Sequence, residues 1–352
     1  MTVGRHARHS AVHPTVVIAL AAVASALVLH GCGSSNEEGH RRAVSVTTAS
    51  VPETTTAVPA PPTAIERPGP PFAVGMLRTT FIDPTRPTPA RGPTPASEHR
   101  ELPTTIRYPV PGDPQPGEAA SAPSLPGSFP VVVFAHGFAL ADFTYPRLLH
   151  DLASEGFVVA DPEFPLSSAA LPGPAVQGDE VEQARDLSFV VDRLLDPATR
   201  PAPLAGLTLR APVAVAGHSD GGITAIGLAA NTCCADPRVR AAVILSGALG
   251  QFPGSWFTAA SPPVLLVHGD ADEVNPLASS TAIYDVAGSP KLFVVVHGGS
   301  HIGAFEDDAR RPAVAHLVAD FLRAYLLHDT NAQARLPQDA SVPDVLELRA
   351  SN

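Results

Sequence analysis

A Gly-x-Ser-x-Gly pentapeptide between a predicted strand and a predicted helix places the strongest constraint on this fold. The apolar residues 213–216 predict a short buried strand, which runs without a gap into Gly217-His218-Ser219-Asp220-Gly221. Residues 222–230 then favour a helix. This arrangement is typical of a nucleophile elbow, a strained turn that raises one hydroxyl above the edge of a sheet. Glycine is expected on both sides of the serine because the turn brings main-chain segments too close for a β-carbon.

Short apolar runs alternate with segments of helical period over residues 72–327. This pattern predicts one α/β domain with a mostly parallel sheet that is covered by helices on both faces. A Pro-rich segment, residues 111–126, is expected to be a surface loop. We predict eight strands, near residues 74–81, 104–110, 129–135, 157–160, 213–216, 241–245, 264–267 and 292–296, and five helices, near residues 147–155, 179–195, 222–230, 279–286 and 312–326.

Reactive residues follow several of these strands, where the active site of such a sheet lies. His136-Gly137-Phe138 comes after the strand that ends at residue 135. A His-Gly pair in this place resembles the oxyanion loop of lipases and esterases. The resemblance implies that the main-chain N–H groups of Phe138 and Asp220 stabilise an oxyanion. Asp220 is otherwise interpreted as a helix-start residue, and His136 is expected to fix the loop, with a role as general base as the alternative.

Acids and a histidine follow two later strands. Asp270, Asp272 and Glu273 come after residue 267, and His301 lies in a loop of small residues after residue 296. His301 is the last of three groups in the chain order Ser–Asp–His, so it is the predicted base. His297 is expected to pack against the sheet. Asp272 best matches a triad acid, and an acid-rich helix N-terminus is the alternative interpretation of the cluster.

Residues 72–327 resemble α/β-hydrolases, and more narrowly the platelet-activating-factor acetylhydrolase and dienelactone-hydrolase-like branch, which includes bacterial polyester-cleaving esterases. The matching segments are VVVFAHGF, LASEGFVVADP, GHSDGG, GGSH and residues 268–276. The resemblance implies a Ser219–Asp272–His301 triad and hydrolysis of short- to medium-chain or polymeric carboxylic esters. Dienelactone hydrolases use a cysteine nucleophile and the acetylhydrolases usually have an apolar residue at the position of Asp220, so neither of those activities is expected.

The surroundings of the site are less specified. Residues 246–262 are too few for a lid domain, which predicts an open cleft with Phe138, Trp256 and Phe257 as candidate wall residues. Ordinary packing is the alternative for Trp256. A serine peptidase or acyltransferase of the same fold, and a non-catalytic binding lipoprotein, remain the other functions to weigh. No cofactor is implied, and no cysteine spacing indicates a metal site.

The chain ends predict export. Residues 1–31 have the form of a signal peptide, in which Arg5 and Arg8 precede an uncharged apolar run. Leu29-His30-Gly31-Cys32 resembles a bacterial lipobox, so Cys32 is the candidate lipidation site on the outer face of the cytoplasmic membrane, with secretion as the alternative. Residues 32–71 are predicted to be a disordered Ser/Thr/Pro-rich tether, and residues 328–352 a loosely held polar tail.

The composition of the protein limits the kinds of partner that it is expected to bind. The net charge of −11 argues against binding to nucleic acid or to an anionic membrane surface, so the lipid anchor is the expected membrane contact. A monomer is expected. Adjacent Cys233 and Cys234 are expected to form a structural disulfide or to remain free, because an exported protein meets an oxidising environment.

Overall fold

A ten-stranded, mostly parallel sheet forms the centre of the protein. The computed structural model describes residues 69–351. The strands in chain order are β1 (Ala73–Asp83), β2 (Arg100–Val110), β3 (Glu118–Ala120), β4 (Gly127–Ser128), β5 (Val131–Ala135), β6 (Val158–Pro162), β7 (Leu207–Thr208), β8 (Val213–His218), β9 (Val239–Leu245), β10 (Val264–Gly269), β11 (Lys291–Val296) and β12 (Leu346–Ser351).

The order across the sheet is β12, β11, β10, β9, β8, β5, β6, β2, β1, β3, while β4 and β7 form a separate parallel pair. The six strands from β11 to β6 are all parallel. Their carboxyl ends therefore lie along one edge, and β8 sits near the middle of it. Two of the outer strands, β12 and β2, run in the opposite direction, since each pairs antiparallel with its inner neighbour.

Helices cover both faces of the sheet, and each face has its own apolar core. Successive residues of β5 alternate between the two cores, with Val131 and Val133 in one and Val132 and Phe134 in the other. The helices are α1 (Pro146–Ser154), α2 (Glu180–Leu195), α3 (Asp220–Ala230), α4 (Ala278–Val286), α5 (Gly303–Glu306), α6 (Arg311–Leu326) and α7 (Thr330–Asp339). Side chains of α2, α3 and α4 fill the first core, and those of α1, α5, α6 and α7 the second.

The predicted fold class is confirmed, with differences at the margins. Each of the eight predicted strands overlaps an observed strand, and each of the five predicted helices overlaps an observed helix. The strand count was too low, because β3 and β12 extend the sheet at its two edges. β3 lies inside the segment predicted to be a surface loop, where it pairs with β1.

The prediction of a loosely held C-terminal tail is wrong for the part that the structure describes. α7 packs Ala332 and Leu336 into the core beside α6. Asp329 caps this helix, because its carboxylate accepts hydrogen bonds from the N–H groups of Asn331 and Ala332 at 2.9 and 3.0 Å. β12 then pairs along β11. The polar composition of this segment reflects its exposed faces.

The predicted signal peptide, Cys32 and all but the end of the predicted tether lie outside the described residues. Within residues 69–351, no helix has both the length and the apolar character needed to span a bilayer.

Candidate active site

Ser219 occupies a strained turn between β8 and α3. Its φ and ψ are 57° and −124°, which an L-amino acid adopts only when its surroundings enforce it. A β-carbon on Gly217 would lie 2.1 Å from the carbonyl oxygen of Gly221, and one on Gly221 would lie 2.0 Å from the carbonyl oxygen of Ala135. The turn therefore leaves no space for a side chain at either glycine, as the pentapeptide predicts. Ser219 is 8% exposed, at the carboxyl end of its strand.

A second loop, residues 136–140, lies against this turn and is called here the oxyanion loop. A β-carbon on Gly137 would lie 3.1 Å from the β-carbon of Ser219. The N–H groups of Ala139 and Leu140 donate to main-chain carbonyls, at 2.9 and 3.1 Å. Within residues 69–351, no protein acceptor is found for the N–H of Phe138. This leaves that group available beside the serine.

Asp220 begins α3, where a main-chain N–H has no acceptor within the helix. Its side chain turns to the protein surface, because the Oδ2 atom accepts a hydrogen bond from the exposed amide of Gln177 at 3.1 Å. Of the two N–H groups expected from the sequence, that of Asp220 directly follows Ser219 in the chain, and that of Phe138 follows Gly137, which packs against Ser219.

His136 is held inside the oxyanion loop rather than at the serine. Its Nδ1–H donates to the carbonyl of Gly137 at 2.8 Å, and Nε2 accepts the N–H of Phe164 at 3.1 Å. Burial lowers the pKa of this imidazole to about 4. Both ring nitrogens have partners, so His136 fixes the loop and is not placed to act as a base.

Asp272 and His301 meet beyond the ends of β10 and β11. The Nδ1 atom of His301 lies 3.0 and 2.8 Å from the two carboxylate oxygens of Asp272. The N–H groups of Val274 and Asn275 donate to Oδ1 of Asp272 at 2.9 and 2.8 Å. Burial raises the pKa of this carboxyl, but the hydrogen bonds from His301 and the two amides outweigh burial and lower it. Asp272 is therefore an anion that orients the imidazole.

The imidazole of His301 lies beside the turn that carries Ser219. It packs on the ring of His218, the residue before the serine, with 4.4 Å between ring centroids. His218 is fully buried, and its Nε2–H donates to the main-chain carbonyl of His301 at 2.8 Å. The structure thus brings the predicted serine, acid and histidine to one edge of the sheet.

The other acids support the loops around this edge. Glu273 accepts the main-chain N–H of His301 at 3.1 Å. Asp270 contacts Nδ1 of His297 at 3.0 Å and accepts the N–H of Gly298 at 2.6 Å. His297 is half-exposed instead of packed against the sheet, because it lies between Asp270 and Glu347. These contacts hold the ends of the histidine-bearing loop.

A buried histidine that was not assigned from the sequence lies behind the acid. The Nε2 atom of His268 lies 3.3 Å from Oδ2 of Asp272 and 3.1 Å from the carbonyl oxygen of Asn275. Its Nδ1 atom lies 2.7 Å from the hydroxyl of Ser280. Burial lowers its pKa, so the ring is neutral beside the carboxylate. Its position directly before the acidic cluster in the sequence is the signal that could have indicated it.

Trp256 and Phe257 lie at the other end of α3 from Ser219. The N–H of Phe257 donates to the carbonyl of Ala230 at 2.8 Å, and Trp256 pairs with Asn231 in an isolated bridge. The eleven residues of α3 span about 16 Å. The structure therefore leaves Phe138 as the one of the three predicted wall residues that lies beside Ser219. Cys233 and Cys234, just beyond α3, are joined by a disulfide bond.

One group of side chains is close enough to share a metal ion within the part of the chain that the structure describes. His316, Asp320 and Asp339 present ligand atoms within 4.8 Å of one another. Asp320, however, already accepts hydrogen bonds from Arg323 at 3.0 Å and Arg335 at 2.8 Å. The two guanidinium groups balance the acids, so the charge of this group does not favour a cation.

The buried neutral histidines make a prediction about stability. The pKa of His218 is lowered to about 3 by burial and by His301, and that of His136 to about 4 by burial. An unfolded imidazole titrates near 6.5, so below that pH the unfolded chain binds more protons and stability falls. Each histidine should lower the free energy of unfolding by about 1.4 kcal/mol per pH unit in this window.

Urea unfolding of the wild type and of His136→Gln between pH 7 and pH 4.5 measures this slope. Other groups titrate equally in both proteins, so the difference between the two slopes isolates His136. Equal slopes would mean that His136 is not held neutral.

A mostly parallel sheet with helices on both faces and a strained serine turn at the carboxyl end of a central strand is the α/β-hydrolase fold, and this chain has that fold. The family model described as Chlorophyllase matches residues 106–265. That match includes the oxyanion loop and Ser219 and ends before Asp272 and His301. A ferulic acid esterase from Streptomyces cinnamoneus has a similar fold, with a TM-score of 0.56 and 22% identity, over 75% of this chain and 93% of that one.

Curated relatives match over shorter stretches. Chlorophyllase-1 of Arabidopsis thaliana is 28% identical over 162 residues, which is 43% of this chain and 47% of the relative. Chlorophyllase-1 of Citrus unshiu is 32% identical over 106 residues, or 30% of each protein. The uncharacterized protein YfhR of Escherichia coli K12 is 41% identical over 54 residues, or 15% of this chain and 19% of the relative. The chain thus spans less than half the length of each of these relatives.

Proposed function

We propose that this protein is a serine carboxylic-ester hydrolase in which Ser219 is the nucleophile, His301 the general base and Asp272 the acid that orients it. The observation that carries the proposal is the pair of hydrogen bonds between His301 Nδ1 and the Asp272 carboxylate, at 2.8 and 3.0 Å, next to the strained serine turn. These bonds commit the ring proton to Nδ1 and leave Nε2 to accept a proton.

The chemistry follows from these roles. A serine hydroxyl is a weak nucleophile at neutral pH, so His301 takes its proton while the oxygen attacks the ester carbonyl carbon. The N–H groups of Phe138 and Asp220 stabilise the oxyanion that forms. The carbon–oxygen bond of the ester then breaks, and His301 returns the proton to the leaving alcohol. Water, activated by the same imidazole, releases the carboxylic acid and restores Ser219.

The comparisons support the reaction class without fixing the substrate. The structural neighbour is a ferulic acid esterase, and the family match includes both the serine and the oxyanion loop. Phe138 and Ile223 are half-buried next to the nucleophile. We expect an open apolar site of this kind to accept short- to medium-chain or polymeric esters.

Hydrolysis of p-nitrophenyl acetate, butyrate and laurate, with and without a serine-reactive phosphonate, tests the proposal. Saturable hydrolysis that the phosphonate abolishes, with the adduct mapped to Ser219 by mass spectrometry, is the expected result. An adduct accompanied by cleavage of peptides, or by acyl transfer to alcohols in preference to water, would move the assignment to those reactions. Neither hydrolysis nor an adduct would indicate a binding protein.

The proposal extends to location. The N-terminal sequence supports export, with acylation of Cys32 and anchoring to the outer face of the bacterial cytoplasmic membrane. Fractionation of cells that express the full chain should place the wild type in the membrane fraction and Cys32→Ala outside it. A Cys32→Ala variant that stays with the membrane would contradict the anchor, and a soluble wild type would support secretion.

Gel filtration of the protein without its first 31 residues tests the expected monomer.

A further inference from the structure

A buried chain of hydrogen bonds joins the oxyanion loop to the loop that carries His301. The N–H of Gly137 donates to the hydroxyl oxygen of Tyr145 at 3.0 Å. That hydroxyl lies 2.8 Å from Nδ1 of His218. Nε2 of His218 lies 2.8 Å from the carbonyl oxygen of His301. Gly137 directly precedes the proposed oxyanion donor Phe138, so the chain connects the two halves of the site behind Ser219.

The direction of each bond follows from the groups involved. A carbonyl oxygen only accepts, so Nε2 of His218 carries the ring proton and Nδ1 is an acceptor. Tyr145 therefore donates its hydroxyl proton to Nδ1, which leaves its oxygen free to accept the N–H of Gly137. Every donor and acceptor is used once, with His218 neutral. The Nε2–H tautomer of His218 therefore satisfies all three hydrogen bonds.

These hydrogen bonds are shielded from water, and aromatic side chains pack on the two residues that form them. Tyr145 and His218 are both 0% exposed. Phe134 packs on Tyr145 with 4.9 Å between ring centroids, and Phe305 packs on His218 at 5.3 Å. A buried donor or acceptor that loses its partner is costly, so these bonds resist rearrangement. The two loops therefore cannot shift independently without breaking one of them.

We propose that Tyr145 and His218 are positioning residues that hold the oxyanion loop and the His301 loop in one geometry around Ser219. The inference rests on the proposed ester hydrolysis. Neither residue touches the reacting atoms, and both act through the residues they hold. Their contribution should appear in kcat, because a misplacement of about 1 Å at a distance from the chemistry can lower a rate by about 10²-fold.

Tyr145→Phe removes the hydroxyl, so the N–H of Gly137 and Nδ1 of His218 both lose their partner. We expect kcat for p-nitrophenyl butyrate to fall by about 10- to 100-fold with KM changed by less than about threefold. Tyr108→Phe is the matched control. Tyr108 is also fully buried and donates one hydrogen bond, to the carbonyl of Ala122 at 2.8 Å, but it lies on β2, which β5 and β6 separate from β8. Its kcat should stay within about twofold of the wild type.

Two variants at His218 test the same set of hydrogen bonds at its second residue. The side-chain amide of His218→Gln can accept from Tyr145 and donate to the carbonyl of His301, whereas His218→Leu can do neither. We expect the glutamine variant to keep most of the activity and the leucine variant to lose as much as Tyr145→Phe. The histidine ¹⁵N spectrum of the wild type should also show His218 as the neutral Nε2–H tautomer at pH 7.

Each outcome decides the inference. A folded Tyr145→Phe with wild-type kcat, equal activity in the two His218 variants, or a charged or Nδ1–H imidazole at residue 218 would overturn it. If Tyr145→Phe does not fold, the glutamine and leucine pair and the tautomer give the result. A wild type that hydrolyses no ester removes the proposed function instead, so the two failures are distinguishable.

Discussion

Replacing Ser219 with alanine should lower kcat for ester hydrolysis by about 10⁴- to 10⁶-fold. The change removes the one hydroxyl that the strained turn between β8 and α3 presents to the site. The two residues adjacent to Ser219 in the chain cannot take over the attack, because His218 is buried and the carboxylate of Asp220 is bonded to Gln177. The residual rate should come from the oxyanion donors and from binding alone. Initial rates with p-nitrophenyl butyrate at saturating substrate measure the effect.

Ser124→Ala is the control for this experiment. Ser124 is also a buried serine, 5% exposed, but it lies between β3 and β4 and its hydroxyl has no hydrogen-bond partner among residues 69–351. Its kcat and thermal midpoint should match those of the wild type. The Ser219→Ala protein should keep the wild-type far-ultraviolet circular dichroism. Activity within tenfold of the wild type in Ser219→Ala would remove this serine from the mechanism and with it the proposed function.

The parallel core of the fold could be predicted because its signals are local. Buried parallel strands are continuous apolar runs, such as β5 and β8, and each is visible without knowledge of its neighbours. The pentapeptide around Ser219 has the same property, since strand, turn and helix follow one another in the chain. The residues directly after those strands then had to share one edge, which is why Asp272 and His301 could be paired across 29 positions.

The edges of the sheet could not be predicted in this way. β12 reads as a polar segment in which buried and exposed positions alternate, and it becomes a strand through its pairing with β11. α7 has a polar sequence with Pro337 inside it, and it is held by packing against α6. In both cases a partner distant in sequence decides the structure. Sequence period alone does not carry that information.

The surroundings of Ser219 depend on similar distant contacts. Nothing near Tyr145 in the sequence indicates a partner 73 residues away at His218. The sequence makes Trp256 a candidate wall residue because it lies in residues 246–262, a segment too short to form a lid domain over the cleft. That loop instead runs along α3, where Phe252 packs on Gly227 before Phe257 reaches Ala230. Its path takes the aromatic residues away from Ser219.

Asp272→Asn should lower kcat by about 10⁴-fold while the fold is kept. The Oδ1 atom of Asp272 accepts the N–H groups of Val274 and Asn275, so the oxygen of an asparagine would stay in that place. Its NH₂ group would then face Nδ1 of His301. That nitrogen would have to accept a hydrogen bond, and the ring proton would move to Nε2, which could no longer take the proton of Ser219. The loss therefore lies in the tautomer as well as in the charge.

Asp270→Asn is the matched control, because this acid follows the same strand and also contacts a histidine, His297, at 3.0 Å. Its partner lies at the protein surface, so kcat for p-nitrophenyl butyrate should change by less than about fivefold, as for other interactions between exposed groups. The rate of phosphonate labelling at Ser219 should follow kcat in both variants, since the same imidazole activates the serine in each reaction. A larger loss in Asp270→Asn than in Asp272→Asn would transfer the role of the acid to Asp270 and break the geometry from which the base was assigned. Equal, small losses in both would mean that His301 holds its tautomer without a carboxylate, which the buried contact of 2.8 Å with Asp272 argues against.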